Sequence, residues 1–201
     1  MSSPSSLPVP ETTDSPRARI ARFFLELVQV LAISLVIIIP IRYFLIQPFY
    51  VRGASMEPNF FDHEYLIIDE ISYRFREPTR GEIVVFKYPV DPSQYFIKRV
   101  IGIPGDTVEI ASGKIKIYNT EHPNGVALDE TAYLDQDNTT PDRTVTLKEN
   151  QYFLMGDNRA ASLDSRIFGA VDRTYLVGRV AVRGYPIDRW KLFEAPHYSN
   201  L

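Results

Sequence analysis

The chain has 201 residues, 45% of them hydrophobic, with 22 basic against 25 acidic residues and a formal net charge of -3. That length suits one domain, or one domain with an appendage, and the near-neutral balance lacks the basic field of a nucleic-acid-binding protein. The absence of cysteine excludes disulfides, thiolate nucleophiles, iron–sulfur clusters and thiolate zinc sites. His63, His122 and His197 show no metal-binding spacing, so neither a metal nor a cofactor is expected. Twelve Tyr, twelve Phe and fifteen Pro point to a β-rich body with many turns.

The Ser/Pro/Thr-rich start, MSSPSSLPVPETTDSP, has little to bury, and residues 1–19 are expected to form a disordered tail. An apolar stretch follows. Phe23 to Ile41 holds a single charge, Glu26, and a helix of this length at ~1.5 Å per residue crosses a hydrocarbon core of ~30 Å. Residues 20–47 are accordingly assigned to a transmembrane anchor, with Pro40 near its far end, Arg42 placed to snorkel, and Tyr43, Phe44, Phe49 and Tyr50 resembling an interfacial aromatic belt. The run is longer than the apolar core of a cleaved secretory signal, ~7–15 residues, and leads straight into the next motif. Arg17, Arg19 and Arg22 precede the span while Arg42 and Arg52 follow it, an asymmetry that slightly favours a cytoplasmic N-terminus.

From residue 48 the pattern becomes one of short strands separated by turn residues, and 48–201 reads as one β-rich domain. Expected strands include 64–71, 81–88, 94–103, 144–147, 151–155 and 177–185. The pair DTVEIA and KIKIYN, joined by Ser112-Gly113, is a two-residue hairpin. Residues of about 120–143 are polar and acidic without a period, which suggests a surface insertion. The fold class is mainly β: a transmembrane helix followed by a mostly antiparallel sheet domain.

Three segments suggest chemistry. GASMEPNF puts Ser55 on a turn framed by small residues, where a hydroxyl stands clear and backbone N–H groups are left for an oxyanion. In YFIKRVIG, strand alternation puts Lys98 with Phe96 and Val100 on one face, and Arg99 with Ile97 and Ile101 on the other. One of the two cations must then meet an apolar layer. A desolvated lysine loses its proton and becomes a general base, which arginine cannot do; Arg99 is expected to tolerate lysine. The third segment, MGDNRAASLDSRIFG, is dense in Asp, Asn, Arg and Ser, with Asp157–Arg159 and Asp164–Arg166 as candidate salt bridges. Each alone also fits a turn serine, an edge-strand lysine and a charged surface loop.

In this order the segments resemble the bacterial type I signal peptidases (leader peptidases), membrane-anchored serine proteases. The resemblance covers nearly all of 20–185: an anchor, Ser55-Met56-Glu57-Pro58, the strand Gly81-Glu82-Ile83-Val84-Val85-Phe86, the long box from Ile97 to Asp106, and the box from Gly156 to Arg166. Four boxes in sequence are far more specific than one short motif. The resemblance implies Ser55 as nucleophile and Lys98 as general base, with Ser162 orienting the amine. Asp164 and Arg166 would brace the site, with Asp157, Asn158 and Arg159 as loop supports. The Ser55 backbone N–H would serve the oxyanion; Gly53 stands where some members carry a second, hydroxyl donor. Phe49, Val51, Met56, Phe96 and Ile97 match the neighbourhood of shallow apolar pockets for small residues.

The implied function is removal of N-terminal signal peptides from exported preproteins through an acyl-enzyme. The implied partners are preproteins, membrane lipid and the protein secretion machinery, and no nucleic acid. The implied location is the cell membrane, inner or plasma, or a thylakoid membrane where one exists, with a cytoplasmic N-terminus and the catalytic domain on the outer side. Two other readings carry different expectations. A histidine-dependent hydrolase requires His63, His122 or His197 near Ser55, and a peptide-binding scaffold without catalysis tolerates alanine at Ser55 and Lys98.

Overall fold

The structure, a computed structural model, describes residues 15–40, 47–134 and 138–198. The chain divides into two compact units, 1–42 and 43–201. In the first, α1 (Pro16–Pro40) starts four residues before the expected anchor boundary. Its start follows helix-end chemistry: the Ser15 hydroxyl accepts from the Ala18 amide at 3.3 Å, and Pro16, which has no N–H to satisfy, opens the helix. Residues Pro16–Ile39 are long and apolar enough to cross a membrane, and their most apolar stretch is unburied. Most of the expected tail, together with Arg42, Tyr43 and Phe44, lies outside the described residues.

The second unit is built from two antiparallel sheets. The larger runs in the order β1 (Gln47–Tyr50), β2 (Tyr65–Asp69), β11 (Leu176–Tyr185), β3 (Ile83–Tyr88), β4 (Asp91–Gly102), β9 (Gln151–Met155) and β10 (Val171–Asp172), with β12 (Lys191–Leu192) also on β11. The smaller is β7 (Val126–Ala127), β6 (Lys114–Tyr118), β5 (Thr107–Ala111) and β8 (Arg143–Thr146). Phe49 and Tyr50, expected in an aromatic belt, belong to β1, paired with Leu66 and Tyr65.

The expected hairpin forms between β5 and β6. Ser112 and Gly113 both take positive φ, 52° and 80°, the backbone that a tight two-residue turn demands. Val108, Ile110, Ile115 and Ile117 face inward, while Lys114 and Lys116 point to solvent. These side chains join Ile101, Leu147, Phe153 and Met155 in the core beneath the smaller sheet.

Strands β3 and β4 lie mid-sheet with apolar material on both faces. Ile83 and Val85 belong to one core cluster and Val84 and Phe86 to the other. This explains why IVVFKY reads as a continuous apolar run rather than an alternation. The segment 120–143 is largely exposed, as its polarity suggests, yet Leu128, Glu130, Tyr133, Leu134 and Thr139 are buried. A short helix, α2 (Ser165–Phe168), follows the polar loop after β9 and is capped by the Asp164 carboxylate, which accepts from the Arg166 amide.

Gly102 sits at a register shift within the β4–β9 pairing, where Val100 faces Leu154 and Gly102 faces Phe153. A Cβ there would stand 2.5 Å from Val108 Cγ2 and 2.7 Å from Leu147 Cδ1, inside the packed core. Gly102→Ala is therefore expected to destabilise the β domain by about 1–3 kcal/mol through overpacking, read as a lower midpoint in thermal or denaturant unfolding of the purified protein.

Candidate active site

Ser55 opens the turn between β1 and β2. That turn is held from within by Glu57 N–H to the Ala54 carbonyl (3.1 Å) and Phe60 N–H to the Met56 carbonyl (2.9 Å). Met56 and Phe60 drive their side chains into the core with Val51, Leu66 and Ile68, so the turn is anchored by burial while Ser55 stays half-exposed. Lys98 comes from the middle of β4, opposite Val84 of β3. Across these two elements, Lys98 Nζ and Ser55 Oγ are 2.7 Å apart.

Lys98 is only 3% exposed. Its Nζ also donates to the Ile97 carbonyl at 2.8 Å and lies 5.5 Å from the centre of the Phe96 ring. Burial pulls the amine down from the usual lysine value to about 8, against Asp164 and Asp157, whose charges favour the ammonium. The sequence reading left one of two adjacent cations for the apolar side. In the structure both are buried, because β4 is covered on both faces, and each is accommodated differently. Arg99 keeps its charge: Nε and Nη2 bind both Asp157 oxygens at 2.8 and 2.7 Å, Nη1 donates to the Gly81 carbonyl at 2.9 Å, and the guanidinium lies 3.8 Å from the Tyr133 ring centre. Lysine cannot reproduce that bidentate fork, so these contacts argue against the expectation that Arg99 tolerates it.

The loop from Gly156 to Arg166 grips the turn that carries Ser55. Asn158 N–H donates to the Ser55 carbonyl (3.0 Å), and Asn158 Nδ2 to the Ala54 carbonyl (3.1 Å). Asn59 Nδ2 completes the grip, donating to Asp157 at 2.9 Å and to the Tyr133 carbonyl at 2.8 Å. Asp164 and Arg166 form the expected pair, at 2.8 and 2.9 Å, and Asp164 also accepts from the Gly156 amide. Burial pushes the Asp164 carboxyl up, but the Arg166 guanidinium and the Gly156 amide bonded to it, with the Ser162 hydroxyl close by, outweigh that push and hold the carboxyl below the ordinary range. The other expected pair does not form. Asp157 is taken by Arg99, and Arg159 reaches Glu130 at 2.5 Å.

Ser162 does not hydrogen-bond to Lys98 here: its hydroxyl is buried beside Asp164 without a well-formed partner. The second bond to the amine goes to the Ile97 carbonyl instead. Ser162 Oγ does lie close against Gly156, a residue whose sequence offered only glycine's smallness as a clue. Among the described residues no hydrogen bond engages the Ser55 amide, while the Gly53 amide is occupied by Asp62 at 3.0 Å. No histidine bonds to Ser55 among the described residues; His63 is exposed and paired with Asp62 at 2.9 Å.

A cleft of about 490 Å³ opens beside Ser55 and Lys98. Phe49, Val51, Phe96 and Ile97 line it as expected, whereas Met56 lies in the core at 1% exposure. Sequence reasoning did not single out Leu66, Val85, Tyr95 or Leu163, which also form its walls.

The sequence matches the signal peptidase family, peptidase S26, over residues 24–185. It is 37% identical over 187 residues to a probable signal peptidase I-2 of Synechocystis sp., covering 90% of this chain and 82% of that protein. It is 33% identical over 201 residues to a signal peptidase I of Leptolyngbya laminosa, covering 94% and 95%. A crystal structure of a signal peptidase I from Enterococcus faecalis, 35% identical, aligns with a TM-score of 0.43 over 52% of this chain and 97% of its own. The chain belongs to the signal peptidases, hydrolases that remove signal peptides from preproteins.

A Cβ on Gly156 would stand 2.2 Å from Ser162 Oγ and 2.4 Å from the Ser55 carbonyl oxygen. The second obstacle is backbone, so the turn carrying Ser55 must itself move. Gly156→Ala is expected to reduce preprotein cleavage by about 100-fold, the scale of a 1 Å misplacement of reacting groups. A preprotein cleavage assay, paired with a melting curve showing a folded domain, checks this.

Proposed function

We propose that this chain cleaves preproteins with a Ser55/Lys98 dyad, through an acyl-enzyme, at the surface of the membrane that holds α1. The observation that carries the reading is the 2.7 Å contact between Ser55 Oγ and a lysine amine that burial brings down to about 8. With one N–H given to the Ile97 carbonyl, the lone pair of neutral Lys98 faces the Ser55 hydroxyl. Lys98 takes that proton as Ser55 attacks the scissile carbonyl, and the lysine then gives it to the departing amine. Neutral again, Lys98 activates the water that releases the acyl group. The Ser55 N–H is the oxyanion donor on this reading; Gly53 is excluded as a second, having no hydroxyl and an amide already engaged.

The cleft supports an extended substrate. Phe49 to Arg52 line one side consecutively and Gln94 to Lys98 the other. A strand that offers every successive residue to a groove offers its backbone edge. Ladder partners of β4 on the β9 side begin only at Arg99, which leaves the preceding edge available for peptide pairing. The apolar side chains favour small uncharged residues before the scissile bond. Ser162, Asp164, Arg166, Asp157, Asn158 and Arg159 act as supports rather than reacting groups. Residues 20–47 anchor the chain once through the membrane and the β domain lies on its outer side, with lipid and the secretion machinery as neighbours; protease reaching the β domain only from the cytoplasmic side of oriented vesicles would refute that topology.

Ser55→Ala is expected to abolish cleavage while the melting curve stays unchanged. Lys98→Arg is expected to be as inactive as Lys98→Ala, since a guanidinium retains its proton in any setting. The sign of the pH dependence follows from the base being the unprotonated form. Below about 8 the amine carries a proton and activity is low; kcat/KM rises as pH climbs through that value and then levels. A flat profile from pH 6 to 9, or near wild-type turnover by Lys98→Arg, removes Lys98 from the mechanism.

A further inference from the structure

The polar stretch between β7 and β8 contains side chains that an insertion on a surface has no reason to bury. Glu130 is 3% exposed, Tyr133 7% and Thr139 0%. Their partners lie in the two segments that carry the proposed chemistry. Arg159 donates to both Glu130 oxygens, Nη2 at 2.5 Å and Nη1 at 2.9 Å, and Nη1 also reaches the Thr139 hydroxyl at 2.5 Å. Tyr133 donates its hydroxyl to Glu130 at 2.8 Å. Through its third nitrogen, Nε, the same guanidinium holds the Gly156 carbonyl at 3.0 Å, and Gly156 is the residue against which the Ser55 carbonyl and Ser162 hydroxyl are packed. A second path runs in parallel: the Tyr133 carbonyl accepts from Asn59 in the nucleophile turn, and the Tyr133 ring covers Arg99 next to Lys98.

We propose that Glu130, with Tyr133, is a positioning residue of the signal peptidase reaction: it fixes Arg159, which fixes Gly156 and so the placement of Ser55 against Lys98. The inference rests on the dyad reading above. A buried guanidinium has to keep its counter-charge. Without the Glu130 carboxylate, Arg159 turns toward water and releases the Gly156 carbonyl. Glu130 touches neither Ser55 nor Lys98, so its action passes entirely through Arg159 and Tyr133. The cleft walls are mostly independent of this strut, since Leu163 alone among the lining residues belongs to the 156–166 loop. The strut therefore acts on turnover rather than on substrate binding.

The test is steady-state cleavage of a purified preprotein by the full chain in detergent, comparing wild type, Ser55→Ala, Glu130→Ala, Glu130→Gln, Arg159→Ala, the double variant Glu130→Ala/Arg159→Ala, and Asp129→Ala. Glu130→Ala is expected to lower kcat by about 10- to 100-fold, with KM within about twofold. Glu130→Gln, which keeps an oxygen toward Arg159, should lose less. The double variant should be no slower than Arg159→Ala, the non-additivity of residues acting in series. Asp129→Ala, whose exposed carboxylate accepts only from Thr131 among the described residues, should match wild type. A folded Glu130→Ala with wild-type kcat, a loss confined to KM, an additive double variant, or equal damage from Asp129→Ala overturns the proposal. So does failure of both Glu130 variants to fold, which makes the residue a foundation of the domain. Cleavage retained by Ser55→Ala, or absent in wild type, instead strikes the dyad reading and the inference with it.

Discussion

A strand buried on both faces must neutralise every charge it carries, and β4 carries two in succession. Arg99 meets this constraint with a partner: Asp157 supplies both oxygens, Gly81 a carbonyl, and Tyr133 a ring face. Among the described residues no carboxylate contacts Lys98. Asp164 and Asp157 act on it only at a distance, and desolvation prevails. Adjacent residues in one desolvated layer therefore reach opposite solutions, a paired cation and an amine brought toward neutrality. Guanidinium chemistry forces the first, because it cannot shed its proton, and the ammonium permits the second.

The Arg99–Asp157 pair also ties the strand to the loop that shapes the site. Asp157 accepts from Asn59, Asn158 grips the carbonyls of Ala54 and Ser55, and Asp164 takes the Gly156 amide while capping α2. Buried ionic groups of this kind contribute little net stability, since desolvation offsets attraction. What they contribute is geometry. Each bidentate contact defines a distance and an angle, and together they specify how the turn bearing Ser55 meets the strand bearing Lys98.

The cleft obeys a different logic. Its walls come from the exposed edges of β1 and β4, and its floor from core residues such as Leu66 and Val85. Apolar side chains that finish the core on one side form the cleft surface on the other, so the shape of the cleft and the stability of the domain share residues. Met56 illustrates the division: adjacent to Ser55 in sequence, it points into the core and holds the turn down rather than touching the cleft.

The sequence by itself determined whatever depends on local pattern. The apolar span, the Ser112-Gly113 hairpin, most strand positions, the Asp164–Arg166 pair two residues apart, and the motif order that identifies the family all follow from neighbours along the chain. Tertiary structure alone decided what depends on partners distant in sequence. Asp157 could have paired with Arg159 beside it, but Arg99, 58 residues away, claims it, and Arg159 turns to Glu130, 29 residues away. Glu130 and Tyr133 looked like members of a polar surface stretch because burial of charge leaves no periodic mark; it is legible only once the partner is seen. Alternation along β4 correctly set Lys98 and Arg99 on opposite faces. It could not reveal that both faces are covered, since that depends on how the sheet is packed and not on the strand itself.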